Sequence, residues 1–201
     1  DGYDDKKIHI LFVGRFTRPY NLIEYINKID DLLDHKKFII DILPGSLELN
    51  GKKINPSNIE DFNFIKSLFN ITINILSPVP QKEVFKYILK SDIGIDFPVN
   101  IDVLSDKGPE NTKLYEYISG GLPTVGQLTS NSFFINKYNC GIELNKISTP
   151  KDYYNAIIEL SKNIDQYNRE NIAINFIKDY SYNNLTYILI RNIMNFYKEL
   201  P

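Results

Sequence analysis

Residues 111–125 read NTKLYEYISGGLPTV. A polar start, a short run of helix-compatible residues, a double glycine, a proline and an apolar run predict loop, short helix, tight turn and strand. Asn111 is a favourable N-cap, and the free N–H groups of a first helical turn make an anion site. At helical spacing, Leu114, Tyr117 and Ile118 form one apolar, core-facing stripe. Thr112, Lys113 and Glu116 fall on the opposite side, so a hydroxyl, a cation and a carboxylate share one helix face. Two readings follow. Lys113 and Glu116 can form an ordinary i,i+3 surface pair worth about 0.2–0.5 kcal/mol. Alternatively, a phosphate meets the helix start and Lys113 while Glu116 accepts hydrogen bonds from sugar hydroxyls. One of Gly120 and Gly121 serves as the left-handed helix stop in either case.

Working outward, strand-like and helix-like segments alternate. HILFV at 9–13 is a short strand ending at Gly14. Leu22, Tyr25, Ile26, Ile29, Leu32 and Leu33 mark a helix over 20–33. FIIDIL at 38–43 is a second strand, closed by Pro44-Gly45. Helix is expected over 58–69, strand over 71–76, helix over 81–89 and strand over 92–97. After the helix at 111–119 come a strand at 122–125, a helix at 130–138 and an edge-like strand at 140–144. Beyond residue 150 only helix is expected, over 151–167, 169–178 and 183–200. Six strands alternating with helices predict βαβ units and right-handed crossovers. The fold class is therefore α/β, a doubly wound Rossmann-like parallel sheet with helices on both faces and a helical C-terminal tail. Residues 1–201 read as one domain.

Composition excludes several classes. The chain has 201 residues, 43% hydrophobic and 24% charged, as in ordinary globular proteins. Its formal net charge of −2 gives no general attraction to nucleic acid or anionic membrane. Cys140 is the single cysteine, so neither an intrachain disulfide nor a cysteine metal cluster can form. It is expected to pack as a small buried hydrophobe. His9 and His35 show no metal-ligand spacing and read as structural or solvated. No apolar stretch approaches the roughly 20 residues of a transmembrane segment, and DGYDDKK has no signal-peptide pattern. A cytoplasmic protein is expected.

In an open parallel sheet, ligands sit outside the carboxyl ends of the strands where strand order switches. The candidate loops are thus 14–19, 44–57, 77–80, 98–110 and 126–129. GRFTRP opens with Gly14, which lets the backbone approach a ligand closely. Arg15 and Arg18 follow: they are either solvated loop residues or phosphate ligands, since an arginine fork matches phosphate oxygens. With one glycine the loop is not G-x-G-x-x-G, which disfavours a dinucleotide fold. The long connection at 98–110 has the length of a functional or a disordered loop.

Together, FVGRF, LPGS, SPVPQKEVFKYILKSDIGIDFP and NTKLYEYISGGLPTV closely resemble the C-terminal half of GT-B glycosyltransferases. The nearest group is the retaining enzymes of family 4 (glycosyl transferases group 1). The likeness runs in order along nearly the whole chain, from DGYD at the start to DYSYNNL near the end. It implies a nucleotide-sugar donor at the carboxyl edge of the sheet. Arg15 matches the arginine that contacts the diphosphate, with Gly14 before it and Arg18 as the nearby cation. Glu116 matches the glutamate that hydrogen-bonds the donor's ribose, and Lys113 belongs to a known variant of that motif. The backbone amides of Glu110, Asn111 and Thr112 would hold phosphate, and Val79 in loop 77–80 would lie against the base. Arg15, Lys113 and Glu116 are the catalytic set the resemblance implies.

The same resemblance sets limits. Gly108 stands where the motif carries a second glutamate, with Asp106 and Glu110 nearby. The usual lysine after the arginine is absent. GT-B enzymes also have an N-terminal domain that binds the acceptor, and this chain has room for the donor half alone. A partner domain is expected to supply the glycan or lipid-linked acceptor, the inner membrane face being a suitable place. The isolated chain would then be inactive, and Ile188, Ile190, Ile193, Met194 and Phe196 would be under-buried. No Asp-x-Asp occurs, so transfer without a metal or other cofactor is expected. The alternative from another class is a noncatalytic GT-B half that binds nucleotide or a partner. A sugar-nucleotide epimerase is disfavoured by the two remote histidines.

Overall fold

A computed structural model describes residues 6–16, 22–49, 52–97, 112–129, 132–145, 147–181 and 183–184. Among the described residues, seven strands form one sheet: β1 (Ile8–Phe16), β2 (Phe38–Leu49), β3 (Lys52–Ile54), β4 (Asn74–Ile75), β5 (Ile93–Asp96), β6 (Thr124–Gln127) and β7 (Gly141–Leu144). The helices are α1 (Leu22–Asp30), α2 (Ile59–Ser67), α3 (Gln81–Lys90), α4 (Thr112–Ser119), α5 (Phe133–Lys137), α6 (Pro150–Lys162) and α7 (Arg169–Tyr180), with a 3-10 turn at Ile164–Gln166. The sheet order is β3-β2-β1-β5-β6-β7, and β4 also pairs with β2. Six strands run parallel, and β3 lies antiparallel to β2. The chain thus winds outward from β1 through β2 to β4. It then crosses to β5 and continues through β6 to β7. The strand order switches between β1 and β5, where this kind of sheet opens a crevice for ligands.

The expected α/β class and its six strands are present. The end of β2 is different. Pro44-Gly45 does not close the strand: Pro44 stays in register with Gly14, and β2 continues to Leu49 before turning into β3. The reason lies at the strand's outer edge. The parallel ladder to β4 reaches Ile42 and the antiparallel ladder to β3 begins at Leu47, so Pro44 falls between them. Its missing N–H therefore costs no ladder bond there.

Strand alternation sorts the core into two faces. Ile10 and Phe12 of β1 join Ile40, Ile42, Ile93 and Ile95 against Ile26, Ile29, Ile157 and Leu160 of α1 and α6. Leu11 and Leu43 face the other way, against Val84, Ile88, Tyr117 and Leu122. A third cluster under α4, α5 and α7 holds Leu114, Ile118, Phe134, Cys140 and Phe176. Cys140 is fully buried, and burial pushes its thiol up to about 12. His9 is buried too. Its Nδ1 lies 2.5 Å from Asp41 Oδ2, and Asn74 Nδ2 donates to Asp41 Oδ1 at 2.7 Å. That polar row crosses β1, β2 and β4, so the structural expectation for His9 holds. His35 is half-exposed, 3.6 Å from Asp30. The helix expected over 183–200, with its apolar residues, lies outside the described residues beyond 184.

Candidate functional site

The site is built around α4, whose placement is fixed by short-range chemistry. Leu114, Tyr117 and Ile118 are completely buried, as the stripe predicts. The helix ends in a Schellman motif: Leu122 N–H donates to Tyr117 O and Gly121 N–H to Ile118 O, both at 2.9 Å. Gly121, at φ +65°, takes the left-handed position. A side chain there would also meet the Arg169 carbonyl, 2.0 Å from an ideal Cβ. Tyr117 then ties the helix to β1. Its hydroxyl accepts from Val13 N–H at 2.9 Å and donates to Leu11 O at 3.3 Å. Gly94 makes room for the ring, since a Cβ there would stand 2.8 Å from Tyr117 Cδ2. The first turn of α4 is thereby held at the carboxyl edge of β1 and β5.

Lys113 uses that position in a way the sequence did not disclose. It does not pair with Glu116. Its stem passes Gly14, where an ideal Cβ would be 3.5 Å from Lys113 Cε, and its Nζ stands 3.2 Å from Asp96 Oδ1. The same ammonium lies 4.9 Å from the centre of the Phe12 ring. Asp96 ends β5 and is 1% exposed, against 16% for the lysine side chain. Burial holds the Asp96 carboxyl above the usual carboxylate range, and the charge of Lys113 opposes that shift. The Tyr153 hydroxyl from α6 donates to Asp96 O at 2.8 Å, fixing the end of the strand from the other face.

Glu116 is half-buried and accepts a hydrogen bond from Gln81 Nε2 at the start of α3. Its pKa is raised by burial, against the opposing effects of the Gln81 bond and the Lys113 charge. A cleft of about 580 Å³ opens over these groups. Gly14 lines it from β1, Pro44 and Gly45 from β2, Val79 and Gln81 from the entry to α3, and Thr112, Lys113 and Glu116 from α4. The cleft's size and its mixed, slightly more polar than apolar lining suit a small polar ligand.

Five of the sequence-derived site residues, Gly14, Val79, Thr112, Lys113 and Glu116, therefore surround one cleft. Arg15 is the penultimate residue of β1. Arg18, Glu110 and Asn111 lie outside the described residues. Asp96 and Gln81 escaped sequence reasoning. Asp96 sits in DIGIDF, which reads simply as a strand; the available signal was a charged residue at the carboxyl end of a strand next to the switch point. Gln81 carried no signal beyond opening a helix after Pro80. Among the described residues, no helix is long and apolar enough to cross a membrane.

No protein-family model matches the chain, and no curated protein matches it in sequence. Solved structures do. Sucrose-phosphate synthase from Thermosynechococcus elongatus aligns over 98% of this chain with a TM-score of 0.68 at 11% identity. The fold is that of one half of a GT-B glycosyltransferase. The C-terminal domain of a glycosyl transferase group 1 family protein from Francisella tularensis aligns over 86% of this chain and 85% of its own length, with a TM-score of 0.56 and 12% identity. The catalytic domain of cholesterol-α-glucosyltransferase from Helicobacter pylori gives 0.54 at 14% identity, over 86% of this chain and 99% of that one. The chain spans about half the length, 47%, of the sucrose-phosphate synthase it matches. At these identities the likeness establishes the GT-B fold and leaves activity to be argued from the site.

Proposed function

We propose that the chain is the donor-binding half of a glycosyltransferase, taking a nucleoside diphosphate sugar in the cleft lined by β1, β2, α3 and α4. The observation that carries this is the placement of Lys113 and Glu116. They stand one turn apart on a helix whose start opens on the switch-point crevice, beside Gly14 and opposite Val79. In this reading the diphosphate meets Lys113, Arg15 and the first-turn N–H groups of α4, which lack intrahelical acceptors. Glu116 accepts hydrogen bonds from the ribose, and the base lies against Val79. As the sugar leaves, negative charge grows on the diphosphate. Preorganised cationic groups lower the barrier by meeting that charge where it develops. The reading calls on no metal or further cofactor. An N-terminal domain supplies the glycan or lipid-linked acceptor, and the transferred group is a hexose-type sugar with retained configuration.

Titration calorimetry of the chain with UDP, GDP, ADP and their sugars tests the proposal. One nucleotide should bind, and Glu116→Ala should weaken it at least tenfold, about 1.4 kcal/mol. A well-folded chain that binds none of them, with the N-terminal half also supplied, would sink the reading. Gly108, standing where the resembled motif has a carboxylate, favours one second reading: a noncatalytic half that binds nucleotide without turnover. Nucleotide-sugar binding with no transfer after the N-terminal half is supplied would select it.

A further inference from the structure

Among the described residues lining the cleft, Lys113 is the one cation and Glu116 the one carboxylate. Yet the lysine is already engaged. Its Nζ is 3.2 Å from Asp96, a carboxylate 1% exposed at the end of β5 and outside the cleft lining. The two partners differ in freedom. Asp96 is buried on a short side chain, and its backbone carbonyl is held by the Tyr153 hydroxyl at 2.8 Å. Lys113 has a four-carbon stem running past Gly14, where a Cβ would come within 3.5 Å of Cε, and part of it reaches the cleft. If the pair separates, the lysine moves and the aspartate stays. While it is together, two opposite charges at contact distance present little net positive field to an anion.

We infer that Asp96 is a positioning residue that competes with ligand phosphate for the ammonium of Lys113, and so sets how strongly the cleft holds a diphosphate. This rests on the reading of the cleft as a nucleoside diphosphate site. A phosphate entering beside the start of α4 must draw Nζ away from Asp96 and the Phe12 ring, or share it with them. The arrangement weakens ground-state binding of the diphosphate. It also keeps the lysine within reach of the charge that grows as the diphosphate departs, where an interaction made in the transition state raises turnover.

The test removes the charge and keeps the shape. The unaltered chain, Asp96→Asn, Lys113→Met and the double variant are each titrated with UDP, GDP and ADP and with the matching nucleosides. Glu116→Ala serves as the check on the site itself. Asp96→Asn should bind the preferred diphosphate about tenfold more tightly, with affinity for the nucleoside unchanged. The gain should vanish in the Lys113→Met background, because the effect runs through the lysine. Weaker or unchanged diphosphate binding in Asp96→Asn overturns the inference. So does an equal gain with and without Lys113, which would make Asp96 a general negative charge. Asp96→Ser, carrying the same expected sign, replaces the asparagine variant should that one fail to fold. Binding by the unaltered chain, lost in Glu116→Ala but not gained in Asp96→Asn, rejects the competition alone. Binding by none of these proteins, with the N-terminal half also supplied, rejects the donor site and the competition with it.

Discussion

Two buried aspartates on one sheet show how similar chemistry is put to different use. Asp41 on β2 is fully buried, and both its oxygens meet groups anchored on neighbouring strands, His9 on β1 and Asn74 on β4. Asp96 on β5 is as deeply buried, but its cation arrives on the flexible stem of Lys113, a residue that also lines the cleft. Burial raises the pKa of both. The first set is closed, with every named partner fixed by strand pairing. The second is open on one side, where a ligand can take over a partner. Burying a charge therefore marks a site only when one partner can leave.

The largest effect should come from breaking the closed row. Asp41→Ala removes the partner of a buried ring and of a half-buried amide at once, and should cost about 3–5 kcal/mol. Denaturant unfolding measures it, while nucleotide affinity of the folded fraction should be unchanged. Lys113→Met is expected to do the reverse. The methionine keeps most of the stem, and burial already favours the protonated form of Asp96. The stability loss should therefore be about 1–3 kcal/mol, with diphosphate affinity reduced tenfold or more. Equal losses of affinity in the two variants would erase the distinction between a closed and an open set.

Titration sharpens the same contrast. The folded-state pKa of Asp41 is raised, chiefly by burial, with the His9 and Asn74 hydrogen bonds opposing. Between the ordinary aspartate value and that raised value, the folded chain holds a proton that the unfolded chain has released. Stability must therefore fall as pH rises through this window. Asp41→Asn has no such proton to lose. The stability of the unaltered chain relative to Asp41→Asn should decline from acidic towards neutral pH in paired denaturation curves. A difference that grows with pH would reverse the assignment.

Much of this architecture was legible because it is local. The 111–125 stretch carries its own stripe and stop, and the structure places Leu114, Tyr117 and Ile118 inward and Gly121 at the left-handed position. The same helical spacing put Lys113 and Glu116 on one face. Lys113's actual partner was not legible, because Asp96 closes the preceding strand and meets it only where α4 folds back over the end of β5. No periodicity records that adjacency. The extension of β2 was hidden for a related reason. Pro44-Gly45 is a terminator by local rule, and it is tolerated here because the outer-edge pairing of β2 changes hands at that point. Local rules gave elements and faces. Which side chains meet across the switch point depended on tertiary pairing.

The smallest effect should come from Gln81, which completes the contrast from the exposed side. Its amide donates to Glu116 as Asp96 accepts from Lys113, but Gln81 is exposed while Asp96 is sealed. An exposed partner competes with water, so Gln81→Ala should cost less than about 1 kcal/mol in stability. Its effect on nucleotide binding should be a loss of about two- to threefold, less than half of a tenfold step in free energy. The sign follows from Glu116. Burial already raises its pKa, and the Gln81 bond is among the influences holding it down. Without that donor the carboxyl rises further, and at mildly acidic pH a larger share is protonated and accepts hydrogen bonds less well. The loss should therefore grow as pH falls and fade towards neutrality. Calorimetric titrations of both proteins at a series of pH values read this directly, and a loss independent of pH would mean that Gln81 orients the glutamate without tuning its charge.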